Sequence, residues 1–373
     1  MRVTLVTETY APQVNGVSRT LGQLARVLTD SGDQVQVVHP DYGDPPGDDL
    51  AVLVRSIPLP FYPELRLPLP PFGDVLQAID HFNPDLIHIA TEATLGHAAL
   101  RHALDRKIPV VSSFHTNFDQ YAGHYGVGWI KGTVWRYLRW FHNSTLETYT
   151  PSLATIADLK EKGLERLVLW PRGVDGSLFR PDRPGRETVR RELGFADDDV
   201  VIGHVSRIAA EKNVAYLGEA LALVESARPS VRLLIVGDGP ARGDLETKLG
   251  DAAKFAGYRT GDDLADHYAA ADLFAFASLT ETFGNVVLEA MAERCPVVVT
   301  AEVGAADIVR ESGGGAVLDG DPVKLGAGIS ALIADRVALK RMGERGREFV
   351  SERYTWDAVC LQMEAAYRQV IAG

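Results

Sequence analysis

Glu281 and Glu289 stand eight positions apart, the first just after the apolar run Leu273–Phe276 and the second inside the helical pattern Asn285–Ala292. Eight helical rises separate such a pair by about 12 Å, beyond the roughly 5–9.5 Å at which paired carboxyl groups cleave a glycosidic bond. The spacing suits two grips on one long ligand, such as the sugar and the ribose of a nucleotide sugar. Between them Thr282, Phe283, Gly284, Asn285 and Val286 lead into the helix start, where unpaired amides favour an anion. The plain alternative is a charged helix N-terminus at Glu281 and a solvated carboxylate at Glu289.

Arg207 and Lys212 follow the apolar run Val200–Val205. Two cations at the carboxyl end of a parallel strand would neutralise a diphosphate as its bond to a sugar breaks; a salt bridge to a nearby carboxylate is the simpler reading. Asn15-Gly16-Val17, shortly after the strand-like Arg2–Thr7, permits a tight turn and close backbone approach to a phosphate, and serves equally as a structural turn. His115 follows Val110–Ser113 and is placed to bond a sugar hydroxyl, although a lone histidine is more often a satisfied core or surface group. Gly237-Asp238-Gly239-Pro240 resembles part of a dinucleotide fingerprint, but Pro240 interrupts it and it lies mid-chain. It reads instead as a Gly-rich edge of a donor site, with Tyr258 framing a nucleobase.

These groups need a scaffold that brings strand ends together. Apolar runs alternate with amphipathic helices twice over. Arg2–Thr7, Gln34–His39, Leu86–Ile89 and Val110–Phe114 come first; Val200–Val205, Arg232–Val236, Lys254–Phe255, Leu273–Phe276, Val297–Thr300 and Ala316–Leu318 follow. Buried runs alternating with helices imply parallel sheets covered on both faces. The fold class is therefore α/β, two doubly wound Rossmann-like domains facing each other across a cleft, with ligands at the carboxyl ends of the strands. The turn-rich stretch from Trp170 to Pro181 reads as the linker. At 373 residues the chain is long enough for two such cores. Its net charge of −12 argues against a nucleic-acid surface. No apolar stretch approaches the ~20 residues of a membrane span. The first residues already read as a strand, so no leader is expected. Cys295 and Cys360 are expected to be buried thiols, in keeping with a cytoplasmic location.

The ordered set of Glu281-x₇-Glu289, Arg207/Lys212, Gly173-Val174-Asp175 through Phe179-x-Pro181, Val236-Gly237-x-Gly239-Pro240 and Phe255-x-Gly257 resembles retaining glycosyltransferases of family 4, which have the GT-B fold. The resemblance covers nearly the whole chain. It implies that Glu281 contacts donor-sugar hydroxyls, Glu289 the ribose, Arg207 and Lys212 the diphosphate and His115 the donor sugar, with Gly16 beside the phosphates. It implies a front-face mechanism in which the leaving phosphate helps deprotonate the acceptor, with no metal or other cofactor. It divides the chain into an acceptor-binding domain, residues 1–172, joined by a returning helix at 356–373, and a donor-binding domain, residues 173–355. Trp170-x-Arg172-Gly173-Val174-Asp175, Phe114-His115-Thr116-Asn117-Phe118 and Thr280-Glu281-Thr282-Phe283-Gly284 look most like the branch of GDP-mannose-dependent α-mannosyltransferases and sulfoquinovosyl-diacylglycerol synthases. A glycine common before the Pro-Val-Val strand is replaced around Arg294-Cys295, and a frequent Gly-Gly pair reads Gly304-Ala305.

Residues 120–146 hold no Asp or Glu but many aromatic and basic side chains. As a helix, Ile130, Val134, Tyr137, Leu138 and Phe141 share one face, with Lys131, Trp135, Arg136 and Arg139 roughly opposite. A basic face bearing tryptophan suits an anionic lipid surface, so residues 127–142 are a candidate peripheral membrane contact presenting a lipid or glycan acceptor; ordinary packing of the tryptophans is the alternative. Other functions fit less well. An epimerase needs acid and base groups around one sugar carbon, a nicotinamide enzyme needs an early G-x-G-x-x-G, and a metal-dependent transferase would have to use Asp319-Gly320-Asp321. A non-catalytic sugar-nucleotide binder is the bland alternative. The expected function is transfer of mannose from GDP-mannose to a lipid-linked or glycolipid acceptor, with a UDP-sugar-dependent transferase as the alternative.

Overall fold

Strand-length apolar runs pair in parallel in both halves of the chain. The computed structural model describes residues 1–13, 15–43, 50–59, 62–115, 131–209, 212–227, 230–278, 281 and 283–373. It divides into one unit of Met1–Arg172 with Trp356–Gly373, and a second of Gly173–Thr355.

Among the described residues, seven strands form the sheet of the first unit. They are β1 (Arg2–Val6), β2 (Gln34–Pro40), β3 (Ala51–Val54), β6 (Leu86–Ile89), β7 (Val110–Ser113), β8 (Thr148–Thr150) and β9 (Leu167–Leu169), ordered β3-β2-β1-β6-β7-β8-β9. A separate antiparallel pair, β4 (Ser56–Leu59) and β5 (Tyr62–Pro68), lies outside it. Val3, Leu5 and Val6 of β1 and Leu86, Ile87 and Ile89 of β6 are fully buried, each contributing about 1.5–3 kcal/mol of burial. The helix Gly16–Asp30 covers β1 and β2 with Leu21, Leu24, Val27 and Leu28, an apolar stripe at helical spacing. The C-terminal helix Trp356–Ala372 packs beside it. Arg26 pairs with Asp357, the Arg19 guanidinium lies 5.8 Å from the Trp356 ring, and Arg368 reaches Asp33 at 3.1 Å.

Six described strands form the second sheet: β10 (Val200–Val205), β11 (Val231–Val236), β12 (Ala253–Gly257), β13 (Leu273–Phe276), β14 (Val297–Thr300) and β15 (Gly315–Leu318), ordered β12-β11-β10-β13-β14-β15 and all parallel. Helices Asn285–Ala292 and Arg336–Arg353 cover one side of its core, Val214–Ala227 and Pro322–Ala334 the other. The stretch read as a linker is buried over residues 170–174, while Ser177 and Arg180 are exposed. Trp170 and Arg172 are buried in the first unit, Val174 and Phe179 in the second. Cys295 and Cys360 are free and buried.

Candidate functional site

In the second sheet β10 and β13 are neighbours although β11 and β12 intervene in sequence. In such sheets the carboxyl ends of the two strands at a reversal are the usual ligand position. Arg207 and Lys212 leave β10 there and Glu281 leaves β13. Lys212 Nζ lies 2.6 Å from Glu281 Oε2, both side chains only part-exposed, and Arg207 is exposed on the same loop. The carbonyl of Glu281 accepts the Gly304 amide at 3.1 Å. His204, which sequence reasoning passed over, ties the strands together. Its Nδ1–H donates to the Ala275 carbonyl at 2.9 Å and its Nε2 faces Ser206 Oγ at 2.8 Å. Burial pushes the His204 ring down to about 4, so it stays neutral.

The glycines after β11 have a structural reason of their own. At Gly237, φ is 134°, and an added Cβ would sit 1.9 Å from the Ser206 carbonyl oxygen. At Gly239, φ is 157°, and it would sit 2.3 Å from that of Ile208. The Ile208 amide donates to Asp238 O at 2.8 Å. Gly239, expected as a substrate contact, is thus required by backbone packing against the loop that carries Arg207. Tyr258 follows β12 and is 72% exposed.

Glu289 is buried on the helix Asn285–Ala292 rather than solvated, and accepts the Tyr268 hydroxyl at 2.8 Å. Phe283 inserts its ring into the core, so only its backbone is available to a ligand. Gly284 caps the helix with φ 94° and no side-chain cap bond, ahead of half-buried Asn285 and Val286. Thr282 lies outside the described residues. Arg294, at the position where the resembled family has glycine, adopts φ 62°, the left-handed region that glycine occupies without cost. The Asp319-Gly320-Asp321 run is a helix cap. Asp321 accepts the Val323 and Lys324 amides, and Asp319 pairs with Lys324 at 2.8 Å. No group of three or more His, Cys, Asp or Glu among the described residues could hold a metal ion.

In the first sheet the reversal falls between β1 and β6. Asn15 is extended, at φ −144° and ψ 170°, and caps the helix Gly16–Asp30 by accepting the Val17 and Ser18 amides at 3.0 and 2.9 Å. The expected tight turn is therefore an N-cap, worth about 1 kcal/mol. Gly16 opens its first turn onto space, with nothing within 4 Å of an added Cβ. Glu8, at the end of β1, accepts the Leu95 amide at 3.0 Å and so caps the helix Thr94–Arg106. Burial, with Glu92 adding repulsion, pushes its carboxyl up to about 7. Glu92 in turn meets His142 Nε2 at 3.2 Å.

His115 follows β7. Its Nε2 lies 2.7 Å from Ser113 Oγ and its Nδ1 2.7 Å from Arg172 Nη2. Ser113 Oγ is also 2.8 Å from His88 Nε2, and His88 Nδ1 bonds the Tyr367 hydroxyl of the C-terminal helix. Burial first, then the Arg172 charge, holds His115 well below the usual imidazole range. Residues 116–130 lie outside the described ones, so the membrane stretch is seen from Lys131 onward. There Leu138 and Phe141 are buried as expected. Trp135 is drawn into packing, with Lys162 Nζ 4.3 Å from its ring. Trp140, Arg136 and Arg139 stay exposed. No helix among the described residues is long and apolar enough to cross a membrane.

Two family models match the chain, one described as Glycosyltransferase Family 4 over residues 14–178 and one as Glycosyl transferases group 1 over residues 199–335. The chain is 34% identical to a GDP-mannose-dependent alpha-mannosyltransferase of Mycobacterium tuberculosis (strain CDC 1551 / Oshkosh), covering 99% of this chain and 97% of the relative. It is 33% identical to the sulfoquinovosyl transferase SQD2 of Arabidopsis thaliana, over 92% and 69%. Among solved structures it resembles Anabaena HepE in complex with UDP (TM-score 0.79, 21% identity, 99% and 100% covered). It also resembles a sucrose-phosphate synthase from Thermosynechococcus elongatus (TM-score 0.77, 22% identity, 100% and 99% covered). The two Rossmann-like parallel sheets are those of the GT-B fold.

Proposed function

The chain belongs to glycosyltransferase family 4 and is a hexosyltransferase; from that premise we propose that it transfers mannose from GDP-mannose to a lipid-linked or glycolipid acceptor, retaining the anomeric configuration and needing no metal. The observation that carries this reading is the Lys212–Glu281 pair at the β10/β13 reversal. It joins a cation for the diphosphate to a carboxylate for the sugar hydroxyls in one preformed unit, with Arg207 on the same loop. In this mechanism Arg207 and Lys212 balance the charge that grows on the departing diphosphate. A phosphate oxygen of that group takes the acceptor's proton while the acceptor oxygen attacks from the same face. Glu289 holds the ribose, and Tyr258 lies against the base.

GDP-mannose is preferred because relatives similar over the whole chain carry that name. A UDP-linked glucosyl or sulfoquinovosyl donor with diacylglycerol as acceptor is the second reading, favoured by the likeness to the sulfoquinovosyl transferase. The acceptor is read as a lipid because Trp140, Arg136 and Arg139 are exposed together on the helix Lys131–Asn143, which suits a peripheral contact with the cytoplasmic membrane face. The test is turnover of GDP-mannose, UDP-glucose and UDP-sulfoquinovose by the purified protein, with and without EDTA, with the product's anomeric configuration read by NMR. Consumption of GDP-mannose unaffected by EDTA, with an α-linked product, is expected. Consumption of a UDP-sugar alone moves the assignment to the second reading, loss in EDTA removes metal independence, and a β-linked product removes retention. Tight binding without turnover of any donor marks a non-catalytic binder. Salt-sensitive co-sedimentation with anionic vesicles is expected, and equal, negligible binding to anionic and neutral vesicles removes the membrane contact.

A further inference from the structure

Arg207 stands between two residues whose backbones are held. The Ser206 amide donates to the Val236 carbonyl at 3.1 Å, the Ile208 amide to the Asp238 carbonyl at 2.8 Å, and the Ile208 carbonyl accepts the Ala241 amide at 3.1 Å. A further hold acts on the Ser206 side chain, and it comes from inside β10. His204 is wholly buried, with its ring stacked on Phe276 at 5.6 Å. Its Nδ1 lies 2.9 Å from the Ala275 carbonyl oxygen, which can only accept, so the ring proton sits on Nδ1. The ring is neutral, and Nε2 is therefore a bare acceptor, with Ser206 Oγ 2.8 Å away. That oxygen is also 3.0 Å from the Arg207 carbonyl oxygen. The serine thus has one proton for two acceptors. His204 is buried and Arg207 exposed, so the ring nitrogen has the stronger claim, because a buried acceptor left without a proton is costly. The tie from β10 to β13 uses Nδ1 alone; Nε2 serves the residue next to Arg207.

We propose that His204 is a positioning residue for Arg207: by holding the Ser206 hydroxyl it fixes the turn out of β10, and so the direction in which the Arg207 guanidinium leaves the strand. This rests on the reading of Arg207 as a ligand of the donor diphosphate. Every residue involved belongs to the second unit. A guanidinium grips phosphate oxygens through a rigid planar fork, whereas the ammonium of Lys212 is a point charge on a flexible stem. Arg207 is therefore the cation whose contact depends on angle, and the one that a loosened turn harms.

The test titrates inorganic pyrophosphate, GDP and UDP by calorimetry into wild type, Ser206→Ala, His204→Asn and His204→Gln, and into the same proteins carrying Arg207→Ala. Asparagine keeps a donor for the Ala275 carbonyl and drops the bond to Ser206, while glutamine reaches Ser206. Binding about tenfold weaker is expected in Ser206→Ala and His204→Asn, with partial recovery in His204→Gln. No further loss is expected when either change is added to Arg207→Ala. That last comparison separates positioning from general damage, which would weaken binding by the same factor in both backgrounds. Such equal losses, or wild-type affinity in both Ser206→Ala and His204→Asn, overturn the proposal. If the His204 variants fail to fold, Ser206→Ala decides alone, because it leaves the tie between β10 and β13 in place. Arg207→Ala with wild-type affinity for all three ligands removes the diphosphate reading and the positioning role with it. That result is read with His204 and Ser206 intact, so it is distinct from a failure of positioning alone. An independent readout is the nitrogen NMR signature of His204 in the ligand-free protein, where a protonated Nδ1 and a bare Nε2 are expected and a protonated Nε2 overturns the link to Ser206.

Discussion

Lys212 and Glu281, separated by 69 residues, meet as an ion pair of 2.6 Å where β10 and β13 end side by side. Neither group is aligned by its neighbours in sequence; the parallel pairing of their strands brings them together. A donor bound there as proposed would meet a cation and a carboxylate that already hold one another in place.

The pair therefore acts as a unit. Lys212→Ala, like Arg207→Ala, is expected to lower turnover by at least about 10²-fold, the scale of losing one electrostatic stabiliser. Glu281→Ala is expected to impair sugar recognition through a higher donor KM. The double variant Lys212→Ala/Glu281→Ala is expected to lose less than the two single losses combined, with a coupling of roughly 0.5–3 kcal/mol. Measuring kcat/KM for all four proteins closes the cycle, and additive losses would show that the pair is incidental.

Gly239→Ala tests whether the glycine shapes the loop. Its Cβ would meet the Ile208 carbonyl oxygen at 2.3 Å with φ at 157°, a strain on the order of 1–3 kcal/mol. Lower thermal stability together with weaker nucleotide binding is expected, because Ile208 adjoins Arg207. A variant with wild-type melting and wild-type GDP affinity would mean that the two loops separate freely.

Glu289 and Tyr268 divide a binding role from a packing role. Tyr268→Phe removes a 2.8 Å bond to Glu289 Oε2 at a cost near ~1 kcal/mol of stability, leaving the carboxylate in place, so most nucleotide affinity is retained. Glu289→Ala removes the proposed ribose contact and is expected to weaken GDP or UDP binding far more. Equal nucleotide binding by Glu289→Ala and wild type would remove that contact.

Glu8 gives the first unit a pH dependence of defined sign. Its carboxyl rises from 4.5 to about 7 on folding, so the folded state holds a proton that the unfolded chain has already released. That contribution is fully present below about pH 4.5 and falls as pH rises through about 7, by something on the order of 1–3 kcal/mol. Glu8→Gln keeps an oxygen for the Leu95 amide and is expected to flatten this slope and raise the melting temperature at pH 8. Parallel stability–pH curves for the two proteins would place the titration elsewhere.

The sheets were legible in the sequence because strands covered on both faces read as short, mostly apolar runs, as β1, β2, β6, β7, β10, β11, β13, β14 and β15 do; β12 is interrupted by Lys254. The three-residue strands Thr148–Thr150 and Leu167–Leu169 carry too little pattern to be read, and β3 to β5 lie beside a proline-rich stretch that masks alternation. In the second unit the spacing of Glu281 and Glu289 and the cations after β10 were visible, since the chemistry stays close to strand ends. Their partners were not. Tyr268 reaches Glu289 from another helix, and nothing in the pattern around Ile208 announces that it faces Gly239. The chain from Tyr367 through His88 to Arg172 joins residues up to 279 positions apart. Trp170-x-Arg172 was noticed as a motif, but only the structure shows that Arg172 is buried and that its Nη1 has no hydrogen-bond partner among the described residues.

The route of the polypeptide makes the two halves unequal as separate pieces. Residues 173–355 form one uninterrupted segment and can be cut out with two breaks at the ends. A fragment ending at 172 lacks Tyr367, Trp356 and the arginine that reaches Asp33, and bares the apolar flank of its first helix to water. To be made alone it needs residues 356–373 restored, by fusion through a short loop or by adding them as a peptide. Clipping the last eighteen residues from the whole protein should therefore damage its beginning first.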